Sequence, residues 1–248
     1  MVDAENRDSG RKPDQQMFMS ITSSEQDALQ KSRLEDARVF IVVYEGSVHL
    51  AKKLLQSAEA SGNDTRKFII VGTDGTKIDG FRNLTLDLPQ GNPISVNRAF
   101  THVAKMCYDN KDNFAFFDSD VTFLKPDAIG RLTEELMFRE GSVLGLPVWV
   151  HNDKFHGWTW NGNAVYRDTV WQDFKLEEEP IPDDYPFDLY LSKKFFQRYC
   201  APTVQQLQTE HKKNVKSLDW VSDNCVVHHP CSDGSLADCV MKKFMKHA

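Results

Sequence analysis

The chain has 248 residues, 40% of them apolar and 27% charged, which is enough for one sizeable core, since single cores run to about 250 residues. Thirty basic side chains against 36 acidic ones leave a net charge of -6. That balance argues against the basic footprint of a nucleic-acid binder, and no apolar run approaches the roughly 20 residues of a membrane span.

Residues 1 to about 35 are polar and without a sustained period, and are expected to form a disordered arm ahead of a single domain over 36–248. Met1–Asp8 lacks the basic and apolar regions of a signal peptide. The five cysteines, Cys107, Cys200, Cys225, Cys231 and Cys239, contain no CxxC pair and are odd in number, so they read as free thiols in a reducing compartment. A cytoplasmic location is expected, although a luminal form trimmed of its leader would carry the same sequence.

The apolar run Arg38–Tyr44 predicts a buried strand. Val48, Ala51, Leu54, Leu55 and Ala58 recur at helical spacing over Val48–Ala60, and Gly62-Asn63-Asp64 should end that helix. Phe68–Val71 predicts a second strand, which completes a βαβ unit. A helix is expected over Ile94–Tyr108, then a short strand over Asn113–Phe117, a helix near Asp127–Arg139 and a strand over Ser142–Val150. Further expectations are a strand at Gly162–Tyr166, an acidic loop Glu177–Asp184, a helix Phe187–Arg198, a strand Asn224–His228 and a last helix from Leu236 to about Lys246. The pattern is α/β, with a parallel sheet in the N-terminal half flanked by helices.

Asp118-Ser119-Asp120 follows the apolar run Phe114–Phe117. A bare D-x-D is common by composition, but this one closes a strand, and open α/β sheets hold ligands at the carboxyl ends of their strands. Two carboxylates two residues apart at such an end can converge on one hard cation and on the phosphates it neutralises.

Phe114–Pro126 resembles the DxD segment of GT-A glycosyltransferases. Pro93–Phe100 is similar to the helix before DxD in family 2 members, Asn161–Arg167 resembles the strand lining the donor sugar, and Pro186–Leu191 resembles the acidic helix start that carries the base. The resemblance spans residues 38 to 240 and implies a Rossmann-like GT-A domain. That domain would use Mn2+ or Mg2+ and a UDP- or GDP-sugar donor, with a glycan, protein or small molecule as acceptor and inversion slightly favoured.

Carried onto this chain, the resemblance makes Asp120 a metal ligand and Asp118 a contact to metal or ribose. His228 completes the metal shell, or His229 beside it, because Pro230–Ser235 replaces the basic segment usual after that histidine. Asp188, or Asp184 just before it, is the catalytic base, with Asp183 third. Tyr44 and Asp74, after the first two strands, fall where such proteins hold base and ribose, and Arg98 and Ser119 are further nucleotide-binding candidates.

Trp158 and Trp160 share one side of a strand and offer faces to a sugar ring, with Asn161, Asn163 and His156 as hydroxyl partners. The same tryptophans also suit a core.

Three other readings compete. Phe114–Thr122 fits the hydrophobic-DxDxT pattern of haloacid dehalogenase-like phosphatases, with Asp118 as nucleophile and Asp120 as acid/base. Such domains usually open on that strand, and no later GDxxxD-like motif is found. Cys225, His228, Cys231 and Cys239 approach the spacing of a structural zinc site. A non-catalytic nucleotide-sugar or glycan-binding module would need many of the same residues as the enzyme.

Overall fold

The computed structural model describes residues 37–138, 141–151, 156–194, 204–206, 226–228 and 238. The expected arm, His229, Cys200, Cys225, Cys231 and Cys239 lie outside the described residues, as does all of the last expected helix but Asp238.

β1 (Arg38–Val43) is buried at every position after Arg38 because it is covered on both faces. Val39, Ile41 and Val43 join one core, Phe40 and Val42 the other. α1 (Val48–Ala60) packs Ala51, Leu54, Leu55 and Ala58 inward, the stripe its sequence spacing predicts. It closes where Gly62 takes φ +79 and the Asn63 amide donates to the Ala58 carbonyl at 2.8 Å. The chain then returns as β2 (Phe68–Gly72), parallel to β1 in the register Val39↔Phe68 to Val43↔Gly72.

The remaining elements follow in chain order. β3 (Arg82–Thr85), α2 (Ile94–Asn110), β4 (Phe114–Asp118), β5 (Val121–Phe123), α3 (Ala128–Phe138) and β6 (Val143–His151) come first. β7 (His156–Tyr166), α4 (Val170–Asp173), α5 (Phe187–Lys194), β8 (Val204–Gln206) and β9 (Val226–His228) complete the set. Six strands form one sheet in the order β3-β2-β1-β4-β7-β6, and β5-β9-β8 form a second, smaller one. In the large sheet β3, β2, β1 and β4 are mutually parallel, while β7 runs antiparallel to β4 and β6 antiparallel to β7. The protein is mixed α/β, with a mostly parallel central sheet flanked by helices.

Each face of that sheet carries its own core. α1 and α3 cover Val39, Ile41, Ile70, Ala115 and Phe117. On the other face α2, α4 and α5 cover Phe40, Val42, Phe114, Phe116 and Tyr166. Phe100 of α2 is central there, stacked on Phe187 at 4.3 Å and edge-on to Phe116 at 5.3 Å and Tyr166 at 5.2 Å. Burial of each such ring stabilises the fold by about 1.5–3 kcal/mol.

Three short strands depart from the expectations. β3 is an exposed edge strand with no apolar alternation; it pairs with β2, and the Asn83 side chain bonds the Ile78 amide and carbonyl at 2.9 and 3.0 Å. β5 occupies what reads in sequence as the approach to a helix; the Ser57 hydroxyl of α1 accepts its Phe123 amide at 3.0 Å. β8 is ordered by parallel pairing with β9. The expected strand Gly162–Tyr166 is the second half of the longer β7, whose first half pairs with β6.

Candidate functional site

In the large sheet the chain winds one way from β1 through β2 to β3, then returns to the other side of β1 with β4. Between β1 and β4, therefore, the strand order reverses, and it is outside the carboxyl ends of the strands at such a point that open α/β sheets usually hold a ligand in a crevice. The register fixes what lines it. Val42 pairs with Asp118, and Val43 with Gly72, so Tyr44 and Thr73 emerge level with each other and Ser119 one residue earlier, level with Val43, on strands spaced about 4.8 Å apart.

Tyr44 is 54% exposed at this edge. Asp74 follows β2 by two residues; its carboxylate accepts from the Glu45 amide at 2.9 Å and the Thr76 amide at 3.1 Å, tying the β1 and β2 loops together. Its burial, slight as it is, acts to raise its pKa, but bonds from Thr76 and Glu45 outweigh it and hold the group below the ordinary carboxylate value. Gly72 is needed here, since a Cβ on it would lie 1.9 Å from the Thr76 carbonyl oxygen. Close approach of backbone to backbone thus shapes the loop that presents Asp74.

Asp118 closes β4, and Ser119-Asp120 form the turn into β5. Both aspartates are half-buried and Ser119 is buried. β9 pairs antiparallel with β5 so that His228 stands opposite Val121, the residue after Asp120. The backbone carrying His228 is thereby brought to the end of the motif.

β7 breaks its ladder beside this turn. Gly145 pairs with Ala164 and Pro147 with Trp160, so residues 161–163 face the single residue Leu146, and Gly162 adopts φ +81. The Tyr166 hydroxyl donates to the Gly162 carbonyl at 2.8 Å. Asn163 is completely buried, and its Oδ1 accepts the Asp118 amide at 2.6 Å while its Nδ2 donates to Asp118 Oδ2 at 3.3 Å. Its expected place on a sugar gives way to a place beneath the first carboxylate. Trp158 stands opposite Trp149 and Trp160 opposite Pro147 in the β6–β7 ladder, with His156 opposite His151; Asn161 begins the bulge.

Phe116 and Asp118 are two apart on β4 and share a face. Phe187, the first residue of α5, packs edge-on against Phe116 at 5.9 Å, and a Cβ at Gly162 would lie 3.3 Å from its ring. Asp188 follows directly in the first turn of α5, on the sheet face that carries Asp118. The Asp188 charge, after burial, contributes to raising the pKa of Tyr185.

Asp183 and Asp184 are exposed in the preceding loop. Asp183 is held by Arg98 through two bonds, at 3.0 and 2.6 Å, and the guanidinium lowers its pKa. Arg98 is thus engaged with the acidic loop.

Asn97 was not among the expected site residues. It is 1% exposed on α2; its Nδ2 donates to the carbonyls of Pro182 and Tyr185 at 2.8 and 2.9 Å, and its Oδ1 accepts the Phe187 amide at 3.0 Å. One side chain therefore positions both the acidic loop and the start of α5. The sequence signal is an asparagine embedded in an otherwise apolar helix face.

Among the described residues no three His, Cys, Asp or Glu side chains gather into a cage. Two carboxylates in a turn are nonetheless the donor set Mg2+ commonly takes, with substrate phosphates and water completing its shell. Among the described residues no helix is long and apolar enough to cross a membrane.

No protein family and no curated protein sequence matches the chain. Among solved structures, glycosyltransferase GlyE of Streptococcus pneumoniae TIGR4 is similar at 11% identity and a TM-score of 0.47, covering 77% of this chain and 54% of that one. Mouse xyloside xylosyltransferase 1 in its apo form is similar at 10% identity and a TM-score of 0.45, over 79% of this chain and 98% of that one. TarS of S. aureus is similar at 13% identity and a TM-score of 0.40, over 75% and 39% respectively. The chain thus spans about half the length of GlyE.

Proposed function

We propose that the protein is a GT-A-type glycosyltransferase that moves a sugar from a nucleoside-diphosphate donor to an acceptor hydroxyl, with a divalent cation and inversion. The observation that carries this reading is the coincidence of Asp118-Ser119-Asp120 with the β1/β4 switch point. A phosphate-bearing ligand in that crevice meets two hard oxygen ligands.

Asp118 and Asp120 would hold Mn2+ or Mg2+, with His228 as a third ligand. When bound, the cation neutralises the diphosphate as it leaves. Tyr44 and Asp74 flank the nucleotide end of the crevice. Asp188 takes the proton of the acceptor hydroxyl while that oxygen bonds to the anomeric carbon and the bond to the diphosphate breaks, its electron pair leaving on the diphosphate oxygen. Asp188 suits this role better than Asp183, which Arg98 neutralises, and Asp184 is the next candidate. Trp158 and Trp160 would supply the faces on which a sugar ring stacks. The phosphatase alternative is not favoured, because the strand delivering the motif is the fourth in chain order, after β1–β3, rather than the first.

Thermal melting of the full chain with UDP or GDP, with and without Mn2+, tests the reading. A ligand at one hundred times its Kd stabilises by about 2.7 kcal/mol, about 5–10 °C for a protein of this size. Asp120→Ala is expected to abolish the Mn2+-dependent part of that shift. If no common nucleotide with Mn2+ moves the Tm of the wild type, the proposal fails. A screen of UDP-, GDP- and dTDP-sugars for hydrolysis then identifies the donor.

A further inference from the structure

We infer that Asn163 is a positioning residue, and that the bulge of β7 exists to aim the Asp118 carboxylate into the crevice. The inference rests on the reading of Asp118 as a cation ligand. In a regular antiparallel ladder continued from Phe116↔Ala164, the backbone of β7 would lie alongside Asp118 as its partner. Instead the pairing stops at Ala164, where residues 161–163 bring two extra residues opposite Leu146, and the Asn163 side chain takes over, with its oxygen on the Asp118 amide and its nitrogen on the Asp118 carboxylate.

A strand amide alone would be satisfied by any acceptor. A carboxamide reaching both the amide and the carboxylate of one residue fixes the side-chain rotamer as well as the backbone. The clamp is held from behind in turn: Gly162 is pinned by the Tyr166 hydroxyl and covered by the Phe187 ring. Asn163 has no exposed surface, so its effect on any ligand passes through Asp118. Partners that orient a metal ligand typically change metal affinity 10- to 100-fold when removed.

The test measures the Kd of Mn2+ for the full-length protein from the EPR signal of free Mn2+, alone and with UDP or GDP. Asn163→Ala is expected to weaken Mn2+ binding by about tenfold or more. Asn163→Ser, which leaves a smaller void but reaches neither Asp118 atom, should behave likewise and serves if the alanine variant does not fold. Asn63→Ala is the control for loss of stability: it likewise robs a buried amide, that of Ala128, of its acceptor, but does so beyond the end of α1, at the amino ends of the strands and away from Asp118.

Asn63→Ala should bind Mn2+ within about twofold of wild type, a margin well below the effect of a lost orienting partner. An Asn163 variant that is folded and binds Mn2+ as wild type does overturns the inference while the proposed function stands. Equal weakening by Asn63→Ala overturns it as well, since loosening of the fold then explains the loss. Absence of Mn2+ binding by the wild type in every condition overturns the proposed function and the inference together.

Discussion

Replacing Asn97 by alanine removes a side chain that ties α2 to both the acidic loop and the start of α5. Three hydrogen bonds are lost, to the Pro182 and Tyr185 carbonyls and from the Phe187 amide. Those involving Tyr185 and Phe187 are buried, whereas the Pro182 carbonyl is partly so and can rehydrate. A buried bond contributes about 1 kcal/mol net, and a buried donor left without an acceptor costs about 1–3 kcal/mol. The Phe187 amide begins a residue packed among Phe100 and Phe116, so water does not readily replace the asparagine.

The sum is about 3 kcal/mol, a fall in Tm of about 6–12 °C for a protein of this size. Circular dichroism melts of wild type and variant measure it, and limited trypsin digestion at Lys175 and Lys193, on either side of the anchored segment, should speed up in parallel. A fall of less than about 3 °C, which corresponds to about 1 kcal/mol, with unchanged digestion, would refute the reasoning, because it would mean that the loop and α5 hold their places without Asn97.

Two further outcomes follow from titration. Burial, with a smaller contribution from Asp112, pushes the Cys107 thiol from 9.0 up to about 12. The folded pKa is raised, so the stability linked to the neutral thiol is fully present below pH 9 and lost as pH rises towards 12; the alkaline fall of Tm should be shallower in Cys107→Ala. At pH 8 the Cys107 peptide should also resist iodoacetamide in the native protein and label in denaturant, as read by mass spectrometry. Asp74 is shifted the other way, below its ordinary 3.8. Its contribution is present above that value and lost as pH falls through the lower folded one, so Asp74→Asn should flatten the acid limb of the Tm profile below about pH 4. An unchanged limb would show that the bonds from Glu45 and Thr76 do not favour the charged form.

The fold was legible wherever burial is written into local periodicity. β1, α1, β2, α2 and β4 lie within a residue or two of their expected ends, because a strand covered on both faces must be apolar throughout and a packed helix must carry a stripe. β3, β5 and β8 were not legible. Each is three or four residues long, too short to show a period, and each is paired to another strand in its sheet. The candidate carboxylates were legible as types, since D-x-D after an apolar strand is a local pattern.

Their neighbours were not. That Asn163 lies under Asp118, 45 residues away, depends on a bulge in which residues 161–163 face a single residue, and no local signal separates that from a polar turn reaching for a sugar. Likewise, the order Asp188, Asp184, Asp183 came from the resemblance alone, and the contacts that separate them, Arg98 holding Asp183 and α5 carrying Asp188 onto the Asp118 face, join distant segments. By itself the sequence determined which segments are buried and where two carboxylates stand together, because hydrophobic period and residue type act over a few positions. Only the tertiary structure decided which side chains contact those carboxylates, because the hydrogen bonds and ring contacts that do so join residues tens of positions apart.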